Sequence, residues 1–195
     1  CLAQNLKDVD DESLMERIQK NDHQAFATLV ERHTSMFYGA AYRIIMNQSD
    51  AEDIVQDAFL KIWTKPQIWK AGKGAKFSTW FYRIVMNLSL DQVRKYKGKN
   101  AVSLPDDLAT NAETQEQDLI KSEQENNLDN AIKSLPDKQL MALNLCFYDG
   151  LTNANAAEIM GVSVKAVESY LMRAKQGIKD YLYHLKEKQK EVRHG

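Results

Sequence analysis

LTNANAAEIMGVSVKAVESYLMRAK, residues 151–175, is the stretch that decides the fold. A helix-turn-helix needs a small residue where two helices cross, a glycine in the tight turn, and apolar residues that lock the second helix. Ala157, Gly161 with Val162, and Val167 with Leu171 stand at those places. Ser163 is placed to cap the second helix. The stripe Val167, Leu171, Ala174, Ile178 faces inward, leaving Lys165, Glu168, Ser169, Met172, Arg173 and Gln176 outward. A recognition helix presents such an outward face to the major groove of DNA. A plain structural hairpin packs the same way, so the rest of the chain must decide.

Upstream of this motif, Leu128, Ala131, Ile132 and Leu135 lead to Pro136, which starts the next helix at its first turn. Leu140, Leu143, Leu145, Phe147 and Tyr148 are expected on that helix's buried face, and Gly150 stops it. A short helix over 153–160 and a long one from about Val164 complete a second helical block, 128–187. Residues 98–127 have few aliphatics, no aromatics and many Asn, Gln, Asp and Glu. Such a segment cannot bury enough surface to fold alone. It reads as a flexible acidic linker.

Before the linker, apolar residues recur at helical spacing from Leu14 to Val93. Two helices fill 11–47, with Asn21 and Asp22 marking the break. A third is expected to start at Ser49, with Glu52 completing a capping box, and to end before Pro66. A loop over 70–76 holds Gly72 and Gly74, and a fourth helix runs from about Ser78. These helices can bury a core of their own, a domain of roughly residues 10–97. The fold class is therefore all-α: two small helical domains joined by the acidic linker, the second a helix-turn-helix.

The chain's formal net charge is −1, but its charge lies in blocks. Asp8–Asp57 sums to −7, Lys61–Asn100 to +9, Leu104–Ala131 to −7 and Val164–Arg193 to +4. Blocks of alternating sign suit separate surfaces for separate partners, and the basic ones suit phosphates. No stretch is apolar for long enough to span a bilayer. Cys1 and Cys146 form neither a disulfide framework nor a metal-ligand cluster. The chain opens on Cys1 rather than Met. A trimmed or engineered start is preferred to lipoprotein processing, because the remainder of the sequence reads as intracellular.

Two further segments carry chemistry. FSTWFYRIVMN, 77–87, interleaves aromatics with bases and is followed by Arg94, Lys95 and Lys97. Aromatic faces stack on unpaired bases while Lys and Arg track the phosphates, an arrangement suited to single-stranded DNA. Core packing competes for the same aromatics. SDAEDIVQDAFLKIW, 49–63, sets Asp50, Asp53 and Asp57 near one helix face with Gln56 beside them, and spacing alone does not separate a docking stripe from a solvated one.

Taken in order, these three segments resemble extracytoplasmic-function (ECF) RNA polymerase sigma factors over about residues 10–187. The resemblance implies an alternative sigma factor that binds core RNA polymerase and directs promoter-specific initiation, with no covalent chemistry of its own and no cofactor. DAEDIVQDAFLKIW is similar to the family's polymerase-binding helix, which implies that Asp50, Asp53, Gln56 and Asp57 contact core enzyme. FSTWFYRIVMNLSLDQVRKY is similar to the helix that melts and reads the minus-ten element. That assigns DNA contact to Lys73, Lys76, Phe77, Ser78, Trp80, Tyr82, Arg83, Asn87, Arg94 and Lys95. The 151–175 segment is similar to the domain that reads the minus-thirty-five element, through Ser163, Lys165, Ala166, Glu168, Ser169 and Arg173. Glu168 and Tyr170 stand where the family often carries Lys and Arg; a glutamate can accept from cytosine but weakens phosphate attraction. The linker resembles the one that threads through core enzyme near the RNA path. Further implied partners are promoter DNA, duplex and melted, and an anti-sigma factor that holds the protein inactive. The implied location is the bacterial cytoplasm, at the membrane only through that partner.

Two rival readings are weaker. A helix-turn-helix transcription factor with an N-terminal sensing domain explains 151–175 but not the +9 aromatic block. A helical enzyme is disfavoured because His23, His33, His184 and His194 are scattered without HExxH, and Gly72 and Gly74 do not make a phosphate loop.

Overall fold

A computed structural model describes residues 6–70, 76–100 and 126–194. Among these residues the elements are all helical, in line with the all-α expectation. They form two compact units: one takes the described residues through Lys95 together with Ala157–Gly161, the other takes the remaining described residues. The expected linker, 98–127, lies mostly outside the described residues. Residues 98–100 are the last turn of a helix and residues 126–127 begin another.

In the first unit, local capping chemistry sets each helix start. Helix α1 (Asp11–Ile18) is capped by Asp10, whose carboxylate accepts from Ser13 N and Ser13 Oγ. Those bonds hold the Asp10 carboxyl below its usual range. Asn21, at φ 63, turns the chain, and Asp22 caps α2 (His23–Ile45) by accepting from Gln24 N and Ala25 N. Met46, also left-handed, closes α2. Asn47, not Ser49, then caps α3 (Gln48–Thr64), accepting from Asp50 N at 3.0 Å. The expected capping box is therefore displaced. Asn47 is already extended and reaches the third amide, while Glu52 accepts from Gln48 Nε2 instead. Pro66 opens a short 3-10 turn (Pro66–Ile68), and α4 runs from Phe77 to Asn100.

An aromatic cluster closes this unit. Phe81 is fully buried and its ring centroid lies 4.6 Å from Phe37 (edge-on), 4.8 Å from Phe59 and 5.4 Å from Phe77. Edge-to-face and offset pairs at such distances add about 0.5–1.5 kcal/mol beyond area burial. Leu14, Met15, Ile18, Leu29, Ile62, Val85 and Met86 complete the apolar interior.

The second unit begins with α5 (residues 126–133) and continues into α6 (Asp137–Leu143). Pro136 sits at the N-cap of α6 rather than inside its first turn, and its carbonyl accepts from Leu140 N. Ala131, Ile132, Leu135, Leu140 and Met141 are buried, as are Leu143 and Leu145. Leu128, expected in the stripe, is exposed. Phe147 and Tyr148, expected on the buried face, are 71% and 44% exposed. The cause is a π-turn over Asn144–Tyr148, in which Asp149 N donates to Asn144 O. The wider turn breaks the 3.6-residue repeat, so residues beyond Leu145 rotate off the core face. Gly150 follows at φ +65, then α7 (Asn153–Met160), of which the part from Ala157 on, with Gly161 at φ +65, is grouped with the first unit, and α8 (Val164–His194).

Candidate nucleic-acid and polymerase interfaces

Helix α4 carries the minus-ten candidates. Lys73 lies outside the described residues. Lys76, Trp80, Arg83, Asn87 and Arg94 follow steps of four, three, four and seven residues, the repeat of one helical face. Lys76, Arg83, Asn87 and Arg94 are exposed, and Trp80 is half-buried. The Trp80 ring rests against Phe77 (6.0 Å) and Phe81 (6.4 Å), so the core fixes its orientation while part of it stays open. Lys95 is exposed and Ser78 half-buried. Arg94 pairs with Asp91 at 3.0 Å, an exposed (i, i+3) contact of little energetic weight.

Phe77 and Tyr82 lie elsewhere. Phe77 has no exposure and Tyr82 only 4%. Both rings belong to the aromatic core, Tyr82 meeting Phe37 at 4.8 Å. Because α4 buries one face against α2 and α3, both rings lie in that packed face and support the helix.

On α3, Asp53, Gln56 and Asp57 are exposed along one face. Asp50 is half-buried and accepts a long bond, 3.4 Å, from Gln92 of α4. Beside this stripe runs an apolar groove of about 490 Å³ between α2 and α3. Phe26, Val30, Tyr38, Val55, Leu60 and Trp63 line it, and Glu52, Gln56 and Asp57 edge it. Phe26 and Val30 read as core in the sequence, and Leu60 falls outside the helical stripe that marks the interior. Leu60 is 55% exposed, and the signal that marks it is a large aliphatic one position past the buried pair Ala58–Phe59. Trp63 meets Phe26 at 5.1 Å and His23 at 4.6 Å, which holds its ring at the groove's end.

In α8, Ser163 Oγ accepts from Ala166 N at 3.1 Å, the cap expected from the sequence. Val167 and Ala174 are buried, whereas Leu171 and Ile178 are half-buried. Ser163, Lys165, Glu168 and Arg173 are exposed, with Ala166 and Ser169 half-buried between them. Lys165, Ser169 and Arg173 follow one another at four-residue steps and so share a face. Met172, two-thirds exposed, adds an apolar element to it.

Cys1 lies outside the described residues. Burial pushes the Cys146 thiol up, away from thiolate character, and its Sγ sits 3.6 Å from Asn153 Oδ1. Among the described residues no helix is long and apolar enough to cross a membrane.

Comparison with known proteins matches both halves. Residues 29–99 match the model for Sigma-70 region 2, and residues 125–178 the model for Sigma-70 region 4. The chain is 28% identical over 181 residues to the ECF RNA polymerase sigma factor SigW of Bacillus subtilis (strain 168), covering 88% of this chain and 96% of that one. It is 30% identical over 187 residues to the ECF RNA polymerase sigma-E factor of Haemophilus influenzae, covering 90% and 96%. Its fold is similar to that of the sigma factor RpoE of Bartonella quintana, solved in complex with the anti-sigma factor NepR. That match has a TM-score of 0.58 at 22% identity, with 81% of this chain and 96% of that chain covered. The helix-turn-helix, the aromatic-basic helix and the acidic helix thus have one common explanation: this chain belongs to the ECF family of RNA polymerase sigma factors.

Proposed function

We propose that this alternative sigma factor divides promoter-specific initiation among three surfaces. The α3 stripe of Asp50, Asp53, Gln56 and Asp57, with the apolar groove beside it, docks core RNA polymerase. The α4 face of Lys76, Trp80, Arg83, Asn87 and Arg94, with Ser78 and Lys95 at its margin, captures the melted minus-ten strand. The α8 face of Ser163, Lys165, Ala166, Glu168, Ser169 and Arg173 reads the minus-thirty-five duplex. The domains are 10–97 and 128–187, with 98–127 as the tether.

The observation that carries this reading is that four exposed cationic or amide side chains, Lys76 just before α4 and Arg83, Asn87 and Arg94 on it, share one helical face with a core-anchored tryptophan. An aromatic ring can stack on a base that leaves the duplex while its neighbours hold phosphates. Extracting a base costs roughly a few kcal/mol, so capture of the flipped state drives melting. Because both DNA-reading surfaces ride on one tethered chain, each raises the effective concentration of the other, and neither needs high affinity alone. The protein positions and binds; the polymerase performs the chemistry. It acts in the cytoplasm and is held inactive by an anti-sigma factor, as the fold relative captured with NepR suggests.

The test is transcription from a promoter library with core polymerase plus this chain. Specific transcripts above the core-alone background are expected. Asn87→Ala lowers open-complex formation more than initial binding, and Lys165→Ala weakens upstream recognition. Absence of specific transcripts overturns the sigma role; two variants that transcribe as the parent does overturn the residue assignments.

A further inference from the structure

Helix α1 lies outside the segment matched by the region 2 model, which begins at residue 29. Its two ends nevertheless hold both flanks of the stretch between Trp69 and Phe77. At its start, Glu12 Oε1 accepts from the backbone N–H of Phe77, the first residue of α4, at 3.0 Å. At its end, Gln19 Nε2 donates to the carbonyls of Pro66 (3.3 Å) and Trp69 (3.2 Å).

Helix α1 is itself fixed. Arg32 of α2 donates to Asp11 Oδ1 at 2.6 Å and to the carbonyls of Lys7 (3.1 Å) and Val9 (2.8 Å). His33 Nε2 lies 2.8 Å from Asp11 Oδ2, and its ring packs 5.7 Å from Phe77. Leu14, Met15 and Ile18 are fully buried beneath. An eight-residue helix is a rigid strut of about 12 Å. Swinging it would break the Arg32 and His33 contacts together.

We infer that α1 is a splint for the DNA-melting helix, with Glu12 and Gln19 as positioning residues that set where α4 begins and how far it stands from Trp69. The inference rests on the minus-ten reading of α4. The first amides of a helix have no partner inside it, and Glu12 satisfies one of them from outside. Without that acceptor the first turn frays and must be re-ordered whenever Lys76 and Trp80 engage DNA, which weakens binding without touching a DNA contact. Glu12 is an acid beside a basic face, so a purely electrostatic role predicts the opposite result, tighter DNA binding on its removal.

The experiment uses the full chain with core polymerase. The probes are fluorescent single strands carrying each strand of the minus-ten segment from the promoter selected in the library. Glu12→Ala and Gln19→Ala are expected to weaken binding of the captured strand about fivefold, the scale of a lost helix cap, with affinity for core polymerase unchanged. Glu12→Gln, which keeps the acceptor and removes the charge, binds as the parent does. The splint is overturned if Glu12→Ala binds the strand normally or more tightly, if Glu12→Gln falls as far as Glu12→Ala, or if strand and core affinities fall together. An Asn87→Ala arm separates the two ideas. If it binds normally, the minus-ten reading fails and takes the splint with it. If it weakens binding while Glu12→Ala does not, only the splint fails.

Discussion

Gly161→Ala isolates the conformational cost of the turn that aims α8. Gly161 sits at φ +65, and a Cβ built there meets no atom within 4 Å. Steric conflict with neighbours is therefore absent, and the penalty is torsional: about 1–2 kcal/mol for an L-residue in the left-handed region. Alanine also restricts the unfolded chain, which returns about 0.4–1 kcal/mol. The net loss is about 1 kcal/mol, or roughly 4–8 °C in Tm for a unit of this size. Gly150, at the same φ and equally open, provides a matched control. Gly150→Ala is expected to lose the same stability, but only Gly161→Ala displaces the start of α8 and weakens upstream DNA binding. Scanning calorimetry of the full chain and binding to duplex promoter with core polymerase measure the two effects. A loss above about 3 kcal/mol would mean a clash that the open space denies. No loss at all would mean that the turn is not left-handed in solution.

Three other perturbations have worked expectations. Phe81→Ala empties the centre of the first unit's aromatic cluster and should cost about 3–5 kcal/mol in urea unfolding; a cost below about 1.5 kcal/mol would show that the cluster does not pack as described. Asp11 is pushed up by burial but pulled further down by the His33 and Arg32 contacts, so its carboxyl titrates below the usual range. Its stabilisation is therefore complete above the unfolded value of about 3.9 and lost as the pH falls through the lower folded value. The stability gap between the parent and Asp11→Asn should hold at neutral pH and close on acidification below about pH 4; a gap that persists undiminished to the acid unfolding limit contradicts that sign. Leu60→Asp changes a side chain that is 55% exposed, so stability should shift by less than about 0.5 kcal/mol, while affinity for core polymerase drops about tenfold. Unchanged affinity removes the α2–α3 groove from the polymerase interface.

The all-α class and the helix-turn-helix were legible from residues because their causes are local. The serine cap of α8, the glycine turn before it and the Asn21–Asp22 break before α2 each act within a few positions, and helical periodicity marks which stripe goes inward. At the start of α3 the sequence pointed to the wrong cap, Ser49. Asn47 and Ser49 are both good caps, and only the backbone turn at Met46 selects Asn47.

Tertiary structure alone decided the rest, because the deciding partners are distant in the chain. FSTWFYR offers four aromatics, and packing against Phe37 and Phe59 buries Phe77, Phe81 and Tyr82 while leaving Trp80 half-open. The π-turn at Asn144–Tyr148 moves Phe147 and Tyr148 outward although their spacing reads as core. Glu12 meets Phe77 across 65 residues and Gln19 meets Trp69 across 50, and no window of sequence contains either pair. Residue order sets what each segment can form, but which face is buried, and which side chains meet across the unit, is settled only when the helices compete for one interior.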